Sequence, residues 1–283
     1  MSHLIHNPTI EWLLVLDGDT FVVNATKSLE SFIPKDPQIH VVHYERIWFG
    51  EIAAGIYLIR NHPWSILYLS KWIETFRKLS KAEYHHSDNG ILHLHFLDMV
   101  GKLDNHTYQT CSMLYNQATT YLRYLKYVGC VKCAIGGQRI FPHVILLRRG
   151  HSFVRDIIKR DPTDYIWRGN KDYRWGGDKI HLLDIMIHGY KANISFYLSE
   201  PVNTTSCINN PKWTPKIRPS LFVSDLRLAK IRMRQWDELV AKTFPQTVPY
   251  PDIADCWPNC TPEITGAKLK LYLPLLCNYS RFP

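Results

Sequence analysis

The feature that most constrains this chain is an apolar run, Trp12-Leu13-Leu14-Val15-Leu16, that stops on Asp17-Gly18-Asp19. Short continuous runs of this kind form strands buried on both faces, as in parallel sheets covered by helices. The run therefore predicts an α/β fold. In such folds ligands gather beyond the carboxyl ends of the strands. Two carboxylates there, one residue apart in extended backbone, project to the same side. Such a pair suits a hard divalent cation that bridges a diphosphate, which makes Asp17 and Asp19 the leading candidates for a metal site.

Composition narrows the possibilities. The chain has 283 residues, 46% hydrophobic and 21% charged, enough for a sizeable core and too apolar for wholesale disorder. No stretch approaches the roughly 18 consecutive apolar residues of a membrane span, and no signal-peptide pattern opens the sequence. The net charge of +9 is scattered, and no groove-reading motif accompanies it. Nucleic acid is therefore not an expected partner, whereas phosphate-rich ligands, anionic surfaces or plain solubility account for the charge.

Six segments match the N-glycosylation acceptor pattern, beginning at Asn24, Asn105, Asn193, Asn203, Asn259 and Asn278. Seven cysteines, at 111, 130, 133, 207, 256, 260 and 277, allow three bridges with one thiol left over. Both observations point to the lumen of the secretory pathway.

Along the chain, Phe21-Val22-Val23-Asn24 leads into a loop, and Ile39–Tyr44 and Ile56–Arg60 read as strands. The small residues of Gly50–Gly55 between these strands permit close backbone approach to a ligand. A helix capped by Asn61 starts near Pro63, with Trp64, Leu67, Tyr68, Trp72, Phe76 and Leu79 along one stripe. A second helix runs from Ser87 to Val100. From about residue 104 the pattern loosens, until Val144–Leu147 gives another apolar run and 180–188 looks briefly helical. Prolines 201 to 219 mark a linker, after which Ser224 caps a helix through Val240 and a Pro- and Cys-containing tail follows.

Several of these stretches together resemble one family. Leu13–Asp19 looks like the metal-binding strand end of GT-A fold transferases. Ala54–Ser65 resembles the Gly-x-Phe-x-Ile-Arg-Asn-x-x-Trp-Ser block of the galactosyl- and xylosyltransferases acting on galactomannan and xyloglucan. Val128–Cys133 is similar to a Val-Gly-Cys-x-x-Cys stretch of those enzymes. With Glu51–Gly55, His93–Asp98 and His188-Gly189-Tyr190 in the same order, the chain is most similar to a nematode-expanded family of nucleotide-diphospho-sugar transferase-like proteins.

The resemblance covers residues 10–195 and implies a GT-A-like mixed sheet flanked by helices over 1–198, with an irregular extension over 199–283. It also implies a UDP-sugar donor, Mn2+ or Mg2+, a glycan or other hydroxyl acceptor, and residence in the Golgi lumen. Asp17 and Asp19 would then hold the metal and the donor's phosphates and ribose, with Gly55 beside the cofactor. Asp88 and Asn89 would bind the donor sugar; a plain helix cap is the alternative for Asp88.

Two departures stand out. Where the related enzymes carry a metal-binding histidine before Val-Gly-Cys, this chain has Lys126 and Tyr127, so His151 or His143 is expected to complete the shell. Only sixteen residues precede Asp17, whereas two βαβ units need about 60. The sequence thus reads as lacking most of its uridine pocket, which leaves a chain without turnover as the alternative to an active enzyme.

Other readings compete. A haloacid-dehalogenase-type phosphohydrolase would use Asp17 as nucleophile, although Phe21 stands where Thr or Val is usual. A zinc site from His85, His86, His93 and His95 is disfavoured because His93 and His95 face different ways on a helix. Cys130 and Cys133 lack a second ligand pair for zinc, which leaves a disulfide or free thiols. From another class, a non-catalytic lumenal binding module would keep the fold without turnover.

Overall fold

In the computed structural model, the described residues are 4, 6–24, 27–46, 51–79, 88–100, 105–136, 138–147, 152–156, 180–181, 185–188, 222–223, and single positions at 205 and 209. The linker, the helix after Ser224 and the cysteine-bearing tail fall almost wholly outside them. The molecule has mixed α/β content, with a mixed sheet flanked by helices.

Five strands form the main sheet: β1 (Trp12–Val15), β3 (Val41–Tyr44), β4 (Tyr57–Arg60), β5 (Ile140–Phe141) and β6 (Val144–Leu147), in the order β1-β4-β3-β6-β5. β3 and β6 run parallel, while β4 lies antiparallel to both β1 and β3. β1, β3 and β6 consequently point the same way, and their carboxyl ends share one edge. A smaller sheet has β2 (Thr20–Val22), β9 (Met186–His188) and β7 (Val154–Asp156) in the order β2-β9-β7. β8 (Ile180–His181) and β10 (Phe222–Val223) make a short parallel pair.

Side-chain alternation along the main strands splits the core in two. Val41, Tyr57, Ile59, Val144 and Leu146 pack on one face with the helices, joined by Leu13 and Val15. Val42, Tyr44, Leu58 and Leu147 occupy the other face with Phe153, Ile185 and Met186 of the smaller sheet's surroundings. The single turn at Asp17–Thr20 carries the chain from one sheet to the other.

The opening run differs from its expected setting. Trp12–Val15 is half-buried throughout, because β1 is the edge strand and its partner β4 is antiparallel. Burial on both faces belongs instead to β3, all four of whose residues are buried.

Helix α1 (Pro63–Lys78) forms where the apolar stripe predicts it. His62 rather than Asn61 is its cap: the His62 Nδ1 accepts from the Trp64 N–H at 3.1 Å. Tyr68 is fully buried and Trp64 and Trp72 pack on the core, but Leu67 and Phe76 stay exposed. A six-residue stripe is wider than the surface α1 can offer the core. Helix α2 (Asp88–Val100) is buried along nearly its whole length, as befits a helix with little polar face.

Helices α3 (Asn105–Asn116) and α4 (Tyr121–Ile135) fill the stretch where periodicity fades. Their inward positions are Cys111, Tyr115, Tyr124, Tyr127 and Cys130, residue types that conceal an apolar stripe. The helical turn expected around 180–188 does not occur at the described residues of that stretch, 180–181 and 185–188. Those residues supply strands β8 and β9, because Met186–His188 pairs with both β2 and β7.

A disulfide joins Cys111 of α3 to Cys130 of α4 across 19 residues, and Cys133 is bonded in a separate bridge. The Cys-x-x-Cys pair is therefore neither a zinc ligand pair nor a dithiol couple. Closing a loop of this length restricts the unfolded chain by about 3 kcal/mol. The Cys111→Ala/Cys130→Ala double variant is expected to lose about that much unfolding free energy in urea titrations, with α3 the first segment to gain hydrogen exchange.

Candidate metal centre

Asp17 and Asp19 take the first and third positions of a β-turn in which the Thr20 N–H donates to the Asp17 carbonyl at 3.0 Å. The two carboxylates converge through this turn, not through the extended backbone that sequence reasoning assumes. β2 begins at Thr20, and its pairing with β9 sets Thr20 opposite His188. That rung brings the imidazole to the turn: His188 Nε2 lies 3.0 Å from Asp17 Oδ2 and 3.0 Å from Asp19 Oδ1.

The cluster is graded in burial. The His188 side chain is 9% exposed, that of Asp19 19% and that of Asp17 39%. Asp19 Oδ2 is buried with no hydrogen-bond partner among the described residues, a position that disfavours a carboxylate unless a cation meets it. One ligand atom from each of Asp17, Asp19 and His188 lies within 4.8 Å of the others. Two carboxylate oxygens and one imidazole nitrogen are a donor set that Mn2+ accepts more readily than Mg2+, which prefers oxygen alone.

Gly55 completes the surround. β1 and β4 pair Val15 with Tyr57, and two residues further on the same register sets Asp17 across from Gly55. A Cβ on Gly55 would fall directly on the Asp17 carboxylate, whereas one on Gly18 would meet nothing within 4 Å. Gly55→Ala is therefore expected to displace Asp17 and weaken divalent-metal binding at least ~10-fold. Gly18→Ala is expected to leave it unchanged, and calorimetric titration of both variants with Mn2+ distinguishes them.

The segment bearing Gly55 hangs from the start of α2. Asn89 Oδ1 accepts from the Ala54 N–H at 2.7 Å, and His93 Nε2 accepts from the Ile52 N–H at 3.0 Å. The other His93 nitrogen then carries the proton and donates to the Asn89 carbonyl at 2.7 Å. Burial holds the His93 pKa below its usual value, which keeps the ring neutral for both bonds. From below, Tyr127 of α4 donates to the Gly90 carbonyl at 2.7 Å, and Tyr124 bonds the buried Glu51. Asn89 is thus spent on positioning the rim.

Of the residues that sequence reasoning nominates, the structure brings Asp17, Asp19 and Gly55 together in one place. Asp88 sits exposed at the first residue of α2, accepting from the Asn89 N–H at 2.9 Å. His151 lies outside the described residues. His143 is not a ligand of this cluster: it precedes β6, at the opposite edge of the sheet from the turn after β1. Its Nδ1 bonds the Gln38 carbonyl at 2.9 Å and its ring stacks with His40.

His93 and His95 do face apart, as expected; His95 stacks on Trp72. The third ligand candidate that sequence reasoning passes over is His188. Its signal was the apolar triplet Ile185-Met186-Ile187 ending on a histidine, a smaller copy of the run that ends on Asp17.

Residues 2–198 match the family described as "Protein of unknown function, DUF273". No curated protein and no solved structure matches the chain.

Proposed function

We propose that this chain, which belongs to the DUF273 family, is a metal-dependent nucleotide-sugar transferase. Its donor is a UDP-sugar, its metal Mn2+, and its acceptor a hydroxyl of a glycan in the Golgi lumen. The observation that carries this reading is the convergence of Asp17 Oδ2 and Asp19 Oδ1 on His188 Nε2 at 3.0 Å each. A GT-A-like arrangement fits the same facts, since the site lies where the strand β1 leaves the mixed sheet.

Asp17, Asp19 and His188 would hold Mn2+, which supplies a Lewis acid for charge developing on the departing diphosphate. With three protein ligands, the metal would keep positions open for phosphate oxygens of the donor. Asp17, the most exposed of the three, would meet the incoming ligand, with Asp19 and His188 holding the metal from the more buried side. Gly55 leaves room for the Asp17 carboxylate, and Asn89 and His93 fix the backbone that carries Gly55.

Calorimetry with UDP in the presence and absence of Mn2+ tests the reading. Binding that needs the metal and disappears in Asp17→Ala supports it, and release of free UDP from a UDP-sugar with an acceptor establishes turnover. Metal-dependent UDP binding without turnover favours a non-catalytic binding module. No UDP binding at any metal concentration removes the proposal.

A further inference from the structure

We propose that Asn105 carries an N-linked oligosaccharide. Asn105-His106-Thr107 has the acceptor pattern, and the fold selects it. Asn105 is the first residue of α3 and is exposed, as is His106 beside it. α3 packs on α2 and α4 through Cys111 and Tyr115, further along the helix. A bulky glycan at its start therefore meets water and displaces no core residue. The other sequon asparagine among the described residues, Asn24, is half-buried, and its backbone N–H bonds the Ile185 carbonyl.

A second observation, independent of the sequon, concerns compartment. Cys111, six residues beyond Asn105, is oxidised in a fully buried bridge with Cys130. Disulfides of this kind form in oxidising lumenal spaces and are rare in the cytosol. The same spaces hold the lipid-diphosphate-linked oligosaccharide that is the required donor. In the transfer, the Asn105 Nδ2 forms a bond to C1 of the oligosaccharide and loses one proton. The bond from C1 to the phosphate oxygen breaks, and the lipid diphosphate leaves with its electron pair. This site stands whether or not the chain transfers sugars itself.

The test routes the full chain through a eukaryotic secretory host and maps its peptides by mass spectrometry. Glycan removal with an amidase in 18O-water converts an occupied Asn105 to a labelled aspartate. The expected result is label at position 105 in the wild type and in Thr107→Ser, and none in Thr107→Ala. Unlabelled Asn105 in protein whose Cys111–Cys130 bridge has formed overturns the proposal. Failure of the wild-type chain to form that bridge in the lumen overturns it too, because the compartment argument then fails.

Discussion

His188→Ala is expected to lower Mn2+ affinity at least ~100-fold while leaving the fold in place. Losing an outer-shell partner of a metal ligand costs about 10- to 100-fold, and losing a ligand costs no less. The fold survives because β9 pairs with β2 through backbone, with Thr20 opposite His188, Phe21 opposite Ile187 and Val22 opposite Met186. Those rungs do not need the imidazole. What the variant removes is the group that both carboxylates face, leaving half-buried Asp19 beside Asp17 with nothing between them. His188→Gln, which keeps much of the volume, is expected to recover little, since an amide is a weak replacement for a ring nitrogen. Calorimetric Mn2+ titration with circular dichroism on the same samples checks both halves of the expectation.

The second large effect is acid lability. Desolvation pushes the pKa of His43 down to about 3 and that of His95 to about 3, and burial also lowers His93. His40, stacked against His62 and near His143, is held at about 4 by burial first and then by the neighbouring rings and Arg60. The unfolded chain takes up these protons near pH 6.5 and the folded chain refuses them. Stability is therefore complete above about pH 6.5 and falls as the pH drops towards 4. By pH 4, His43 and His95 would each remove about 3 kcal/mol, together a large part of the 5–15 kcal/mol typical of a domain.

Urea titrations from pH 7.5 to 4 are expected to show this slope. His95→Phe sharpens the test. Both His95 ring nitrogens are buried without a partner among the described residues, while the ring stacks on Trp72 and meets Tyr68 edge-on. Phenylalanine keeps the stacking and removes the unmet polar atoms, so the variant should be more stable by about 1–3 kcal/mol at neutral pH. It should also lose part of the acid slope. A variant with unchanged slope and lower stability would place His95 in a polar contact instead.

How much of this was legible depended on how local each signal was. Asp17 and Asp19 announced themselves because an apolar strand ends on them, and Gly55 because small residues cluster before β4. Helix α1 was readable from its stripe of Trp, Leu and Phe, and α2 from the polar opening Ser87-Asp88-Asn89-Gly90 ahead of an apolar run. α3 and α4 were not, since Tyr115, Tyr124, Tyr127, Cys111 and Cys130 do the packing there and carry no clear apolar period. The edge position of β1 was equally hidden: which neighbour a strand finds is decided by residues far along the chain. His188 was the hardest. It sits on a three-residue strand whose meaning comes only from its rung with Thr20, and no local spacing encodes that pairing.

The most direct test of the central claim is pulsed electron paramagnetic resonance on Mn2+ bound to the full chain. The account predicts one imidazole nitrogen coupled to the metal in wild-type protein, with the coupling lost in His188→Gln. Mn2+ bound with no nitrogen coupling, or with a coupling that survives the substitution, would contradict it.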